Sequence, residues 1–198
     1  MKLYVTADLH FGHANIIRYC NRPWLQPGDL DENGNWTSPE IAIIRVQEMN
    51  RVLINKFNST IKSDDLVINI GDFCFKNSKG GKTGEGVSNK AYEYIKQLNG
   101  IWTFVKGNHC GNNSLKTHIS NLTLMYGNHK FFVVHNPEHA NPHIEINLVG
   151  HVHNNWKIRP LGEKSVMYNV GVDVQDFMPI TIEKVLADLN QWRRNGKK

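Results

Sequence analysis

Cysteine is scarce in this 198-residue chain: Cys20, Cys74 and Cys110 make an odd three with no Cys-x-x-Cys spacing. That excludes a disulfide framework and a thiolate zinc site. Cys74 and Cys110 stand beside residues singled out below; buried thiols are the expectation there, ahead of redox sensitivity. Long apolar runs are missing too. None approaches the roughly 20 residues that span a bilayer, so a membrane partner is not expected. There is no internal repeat, no low-complexity tract and no long Lys/Arg block. The densest positive stretch, Trp192-Arg193-Arg194-Asn195-Gly196-Lys197-Lys198, reads as a solvated chain end. No leader-like segment precedes the strand-like Leu3-Tyr4-Val5, and a cytoplasmic protein is expected.

What is present can fill a core: 40% of the residues are hydrophobic and only 21% charged, which argues against disorder over the whole length. The length suits one domain over residues 1–198. Net charge is +5, a modest basic excess that favours anionic partners, nucleotides and nucleic acid among them.

Five short runs of metal-binding side chains each follow a stretch that reads as a β-strand. Asp8-Leu9-His10 follows Lys2–Thr6, Gly71-Asp72 follows Leu66–Ile70, and Gly107-Asn108-His109 follows Ile101–Lys106. His135 follows Phe131–Val134, and Gly150-His151-Val152-His153 follows Ile146–Val149. Further strands are expected around Val166–Val170 and Ile180–Ile182. Helices are expected over Ala14–Tyr19, after Ser38-Pro39-Glu40, over Asn89–Leu98 and over Glu183–Trp192. Ser38 reads as an N-cap with Pro39 in the first turn, and Ile41, Ile44, Glu48–Met49, Val52–Leu53 and Phe57 as the apolar stripe of its helix. Lys76–Val87, with four glycines, reads as a mobile loop. Elements alternate in the first half and strands dominate the second, which points to two packed sheets with helices outside.

Asp8 and Asp72 offer anionic oxygen, Asn108 neutral oxygen, and His10, His135, His151 and His153 imidazole nitrogen. That is too many donors for one tetrahedral ion with an open position. It suits two ions sharing a carboxylate, an arrangement used to hydrolyse phosphate esters. Two divalent cations against two carboxylates leave a positive centre that attracts an anion. The mixed N/O set without thiolate suits Mn, Fe or Zn.

As a set, these blocks resemble those of the calcineurin-like metallophosphoesterases. Asp8-Leu9-His10-Phe11-Gly12-His13, Ile16-Ile17, Asn21-Arg22-Pro23 and Asn169-Val170-Gly171-Val172-Asp173 are similar to small phage and bacterial members. The resemblance implies an α/β fold, a four-layer α/β/β/α sandwich of two packed mixed sheets flanked by helices. It implies one metal on Asp8, His10, Asp72 and His153, and another on Asp72, Asn108, His135 and His151, with Asp72 bridging. A hydroxide held by the metals would attack phosphorus, with His109 as general acid or phosphoryl clamp. The fourth block lacks the glycine often found before its histidine, so His139 and His143 compete with His135. His135 is preferred because it directly follows an apolar strand. The Asp-Arg-Gly extension of the large serine/threonine phosphatases is absent, which argues against a protein phosphatase.

Other signals are weaker. Asp29-x-Asp31-x-Asn33-Gly34-x5-Glu40 matches an EF-hand calcium loop, but Pro27-Gly28 precludes the incoming helix, and a polar turn before a capped helix explains the same letters. Gly81-Lys82-Thr83 lacks the first glycine of an NTPase phosphate loop. His13 and Arg22 are candidates for touching a phosphate, against a helix cap and a surface salt bridge. Asn169 and Asp173 are candidates for orienting ligating histidines, against a turn role.

The expected function is hydrolysis of a phosphodiester or phosphomonoester with two divalent ions, on a small-molecule or nucleotide phosphate ester. The alternatives are a nuclease acting on nucleic acid and a non-catalytic scaffold with the same fold, such as the retromer subunit.

Overall fold

The computed structural model describes residues 1–75, 89–112 and 114–196. The glycine-rich loop expected over Lys76–Val87, including Gly81-Lys82-Thr83, lies outside the described residues.

The elements run β1 (Leu3–Thr6), α1 (Ala14–Tyr19), α2 (Pro39–Thr60), β2 (Leu66–Ile70), α3 (Ala91–Ile95), β3 (Ile101–Val105) and β4 (Asn121–Tyr126). They continue with β5 (His129–Val134), β6 (Ile146–Val149), β7 (Ile158–Leu161), β8 (Ser165–Asn169), β9 (Ile180–Thr181) and α4 (Ile182–Arg194). Two mixed sheets result. The first has the order β3-β2-β1-β9, the second β4-β5-β6-β8-β7. In the first, β1, β2 and β3 are parallel, with Ile68 opposite both Val5 and Thr103. In the second, β5, β6 and β8 are parallel, with Leu148 opposite both Val133 and Tyr168. Parallel strands are covered on both faces, which is why β2 and β6 read as near-continuous apolar runs.

Alternation along the strands divides the core. Tyr4 and Val67 point to α1, α2 and α3, joining Ile17, Val46, Met49, Leu53, Phe57 and Tyr94. Val5, Ile68 and Ile70 point the other way and pack against Phe131, Val133, Leu148 and Tyr168 of the second sheet. Ile182, Val185 and Leu189 bring α4 into that same core, and Tyr168 Oη donates to Asp188 Oδ2 at 2.6 Å. The fold is the α/β arrangement of two packed mixed sheets with flanking helices.

Helix α2 starts as its sequence dictates: Ser38 Oγ accepts from the Ile41 N–H at 3.3 Å, and Pro39 occupies the first turn. Its buried face differs from the expected stripe in the first two turns. Ala42, Val46, Met49, Leu53 and Phe57 are buried, whereas Ile44 is 56% exposed. In the first turn the small Ala42 is the buried residue, with Ile41 packed half-buried beside it. Two strands escaped the sequence reading. β4 alternates half-buried and exposed residues, and β7 carries Pro160 on an edge.

Candidate metal centre

Six parallel strands end at one edge of the sandwich, three from each sheet. Asp8 and His10 follow β1, Asp72 follows β2, and Asn108 and His109 follow β3. His135 follows β5, His151 and His153 follow β6, and Asp173 follows β8. The sheets are stitched together here. Ala7 pairs with Gly171 through Val172 N–H to Ala7 O at 3.1 Å, and the Ala7 N–H donates to Val170 O at 3.2 Å.

The backbone is bent sharply to turn these side chains inward. Among the described residues eight non-glycine positions have positive φ, and five of them are Asp8, His10, Asp72, His151 and His153. Each costs on the order of 1 kcal/mol or more, and such strain gathers at functional sites. The turns are held by main-chain bonds: Asp8 N–H to Gly71 O at 3.2 Å, His10 N–H to Asp72 O at 2.9 Å, and Gly150 N–H to His135 O at 3.0 Å. Close approach demands glycine around the centre, as Gly71 and Gly107 show. A Cβ on Gly71 would meet the His135 ring, and one on Gly107 would be driven into the Asp72 carboxylate.

The donor atoms converge. One ligand atom from each of Asp8, His10 and His153 lies within 4.8 Å of the others, and the same holds for Asp8, Asp72 and His135, and for His10, Asp72 and His109. His135 Nδ1 faces the Ile70 carbonyl at 2.7 Å, which turns Nε2 to Asp72 Oδ2 at 3.2 Å and Asn108 Oδ1 at 2.9 Å. His151 Nδ1 meets the same Asn108 Oδ1 at 2.9 Å. Asp8 Oδ2 accepts from the His151 N–H at 2.8 Å, and Asp72 Oδ1 from the His109 N–H at 3.0 Å. Asp8 Oδ1 and both ring nitrogens of His10 are buried with no hydrogen-bond partner among the described residues. Burying such atoms unpaired is costly, and a cation on Asp8, His10 and His153 would satisfy them. The donor set fits a divalent metal.

The electrostatics agree. Burial raises the Asp8 carboxyl above its ordinary value despite His135 and His153 nearby, and burial pushes the His10 imidazole well below its own. Burial opposes the charge of Asp72 as well, yet the hydrogen bond from His135 and the neighbouring His109 hold its carboxyl below the usual range. Burial also works against charging His135 and His153, but Asp72 and Asp8 carry His135 up to about 9, and Asp173 carries His153 up to about 10. Buried carboxylates here draw positive charge inward.

Asp8, His10, Asp72, Asn108, His109, His135, His151 and His153 all reach one centre. Of the three competing histidines, His135 lies with Asp8 and Asp72, whereas His139 lines a cavity of about 270 Å³ with Lys106, Asn108 and Ser120, and His143 is exposed. His109 is half-buried, with Nε2 4.0 Å from Asp72 Oδ2. His13 does not cap α1 with its side chain; it is buried and stacks on Phe75 at 4.1 Å, 6.0 Å from the His109 ring. Arg22 is neither a phosphate contact nor a surface ion pair. It is 1% exposed and bonded to Asp173 at 2.8 Å. Asp173 holds the His153 ring at 2.9 Å, whereas Asn169 bonds the His153 carbonyl at 2.8 Å and so works through the backbone. In the calcium-like loop Asp29 is taken by Arg45 at 2.7 Å, and Asp31 Oδ1 caps the N–H groups of Asn33 and Asn35 at 2.9 and 2.8 Å. This is the polar-turn arrangement. Cys74 is buried, and burial pushes its thiol up to about 12, so it is a packing residue.

Among the described residues, no helix is long and apolar enough to cross a membrane. The chain is 29% identical over 192 residues to an uncharacterised protein of Methanocaldococcus jannaschii, covering 93% of this chain and 89% of that one. Its structure is similar to a crystal structure of a protein of unknown function from Aquifex aeolicus, with a TM-score of 0.60 at 18% identity over 95% of this chain and 98% of the other. It also matches YfcE, a phosphoesterase from E. coli, with a TM-score of 0.42 at 16% identity over 92% and 82% of the two chains. The family model described as calcineurin-like phosphoesterase matches residues 1–188, nearly the whole span from β1 into α4, and with it every residue of the centre. The chain belongs to the calcineurin-like phosphoesterase family.

Proposed function

We propose that residues 1–198 act as one catalytic unit that hydrolyses phosphate esters with two divalent cations. Asp8, His10, Asp72 and His153 hold one cation, and Asp72, Asn108, His135 and His151 the other, with Asp72 shared. The observation that carries this is the set of buried donor atoms on Asp8 and His10 that make no hydrogen bond among the described residues, at the point where both sheets' strand ends meet. Cations held there supply Lewis acidity toward a phosphoryl oxygen and acidify water.

The protein's own groups supply the rest. Asp8 and Asp72 set the negative charge that retains cations, and the imidazoles add neutral donors. His109 stands at the rim with its backbone fixed by Asp72 Oδ1. An imidazole N–H of His109 donates a proton to the leaving oxygen or grips a phosphoryl oxygen. The cavity beside Asn108 and His135 has room for the rest of a small or nucleotide-like ester, and Lys106 on its wall suits an anion. The basic balance of +5 favours a diester. None of the three cysteines forms a disulfide, which suits the reducing cytoplasm. Mn, Fe and Zn all match the donor set.

The test is hydrolysis of an aryl phosphate, a bis-aryl phosphate and an oligonucleotide by protein loaded with Mn²⁺. Turnover of the bis-aryl ester above the others is expected. Cleavage of the oligonucleotide alone makes the protein a nuclease. No turnover on any of them, with cations bound, makes it a scaffold.

A further inference from the structure

Behind His153 lies a guanidinium that the chemistry above leaves without a task. Arg22 sits in the loop after α1, and its side chain is fully enclosed. Its five N–H donors meet five acceptors. Nε reaches Asp173 Oδ1 at 2.8 Å and Nη2 reaches Asp173 Oδ2 at 2.9 Å. Nη2 also donates to the Asp8 carbonyl at 2.8 Å, and Nη1 to the Leu9 carbonyl at 3.2 Å and to Met49 Sδ at 3.3 Å. Asp173 Oδ2 in turn accepts from His153 Nδ1 at 2.9 Å. One buried cation thus ties the loop that carries Asp8 and His10 to the carboxylate that orients His153.

The other half of the centre is built differently. Asn108 is exposed, and its Oδ1 is shared by His135 Nε2 and His151 Nδ1, both at 2.9 Å. These three groups bond one another, and a cation taken up there must first part them. In the first half, Asp8 Oδ1 and the His10 nitrogens make no hydrogen bond among the described residues that a cation would have to displace.

Resting on the two-cation reading, we propose that Arg22 is a positioning residue that preassembles the Asp8–His10–His153 half of the centre, so that this half fills first and more tightly than the Asn108–His135–His151 half. An arginine suits the task because its fork binds both carboxylate oxygens of Asp173 in a fixed plane. The pairing also keeps Asp173 an orienting group for His153 and stops it from becoming a ligand itself. A lysine would supply the charge without the plane.

The experiment is calorimetric titration of metal-free, full-length protein with Mn²⁺, using wild type, Arg22→Lys and Asp173→Asn. Asp173→Asn is included because an asparagine oxygen still accepts from His153 if Arg22→Lys fails to fold. Wild type is expected to show two events of unequal affinity. In the variants the tighter event should weaken by about 10- to 100-fold, the range for groups that orient metal ligands, while the weaker event stays where it was. The melting temperature of each metal-free variant is measured alongside. Equal weakening of both events in step with a lower melting temperature would mark Arg22 as a structural ion pair and overturn the proposal, as would no change in either event. Two equal events in wild type would overturn the filling order. Fewer than two cations bound by wild type would instead overturn the two-cation reading itself.

Discussion

Asp72 receives more of the centre than any other side chain: His135 Nε2 at 3.2 Å, His10 Nε2 at 3.7 Å, His109 Nε2 at 4.0 Å and the His109 N–H at 3.0 Å. If one carboxylate serves two ions, Asp72→Asn should lose activity and weaken both cations together; retention of two cations per chain by elemental analysis would contradict the shared role. His109→Ala tests the proposed proton donor apart from the candidate ligands. It should keep both cations and lose roughly 10²–10⁴ in rate, with smaller losses on esters that have good leaving groups. Equal losses across a leaving-group series would count against a general acid and for a phosphoryl clamp. The residues of the centre were legible because carboxylates and imidazoles are conspicuous at the ends of apolar strands. Arg22 was not. Its partner Asp173 lies 151 residues away in sequence, and nothing in Asn21-Arg22-Pro23 says which strand end will fold over it. Gly107 shows the same limit from the other side: the Gly-Asn-His run marks a turn, but only the structure shows that Gly107 must yield space to the Asp72 carboxylate. Gly107→Ala should therefore destabilise by about 1–3 kcal/mol, the usual cost of overpacking, and also weaken cation binding because Asp72 has to move. A variant with wild-type melting and wild-type binding would refute that steric argument.

Elements carried the clearest sequence signal where both faces are buried, as in β2 and β6, whose observed limits Leu66–Ile70 and Ile146–Val149 equal the expected ones. The signal faded at the sheet edges. β4 packs one face and exposes the other, and among the described residues β7 pairs only with β8. Helix α2 was legible by its cap, which makes the cap a clean probe of the element apart from the site. Ser38→Ala removes the acceptor for the Ile41 N–H and should cost about 1 kcal/mol, a fall of roughly 2–4 °C in melting temperature for a chain of this size, without altering turnover. Loss of activity at unchanged stability would mean that α2 does more than support the first sheet. The turn before α2 has its own signature in pH. Burial alone would raise the Asp29 carboxyl, but the Arg45 guanidinium and the Gln26 N–H hold it below its ordinary value. A depressed carboxyl contributes stability that is present above its unfolded pKa of about 3.9 and lost as pH falls through the lower folded value. Asp29→Asn should thus lower stability at neutral pH and approach wild type in strong acid. The difference should be roughly 1 kcal/mol, because Arg45 keeps 24% of its side chain in solvent. A deficit that persists unchanged below the folded value would place the effect in packing and leave the ion pair without a role.

At the scale of the whole molecule, the centre lies across a seam. Asp8, His10, Asp72 and Asn108 hang from the first sheet, His135, His151 and His153 from the second, and main-chain bonds stitch the sheets at this edge, among them the Ala7–Gly171 bridge with its neighbouring bond from Ala7 N–H to Val170 O. Side-chain bonds such as His135 Nδ1 with the Ile70 carbonyl and Asp8 Oδ2 with the His151 N–H also cross the seam, but most of the contact is apolar packing, Val5, Ile68 and Ile70 against Phe131, Val133 and Leu148, which has no preferred direction along it. A cation taken by Asp8, His10 and His153 joins the two sheets through directional bonds, and one taken by Asn108, His135 and His151 does so again. Unfolding parts the sheets and scatters the ligands, so binding favours the native state by mass action. At a hundred times the dissociation constant the gain is about 2.7 kcal/mol, or roughly 5–10 °C for a chain of this length. Wild type stripped by a chelator should melt lower by that margin and recover it with Mn²⁺, whereas Asp72→Asn should gain little from the same addition. Thermal scans with and without the cation measure this directly. If equilibrium dialysis shows cations bound to wild type while its melting temperature stays fixed, the ligands do not span the seam as described, and the sheets come apart independently of the metal.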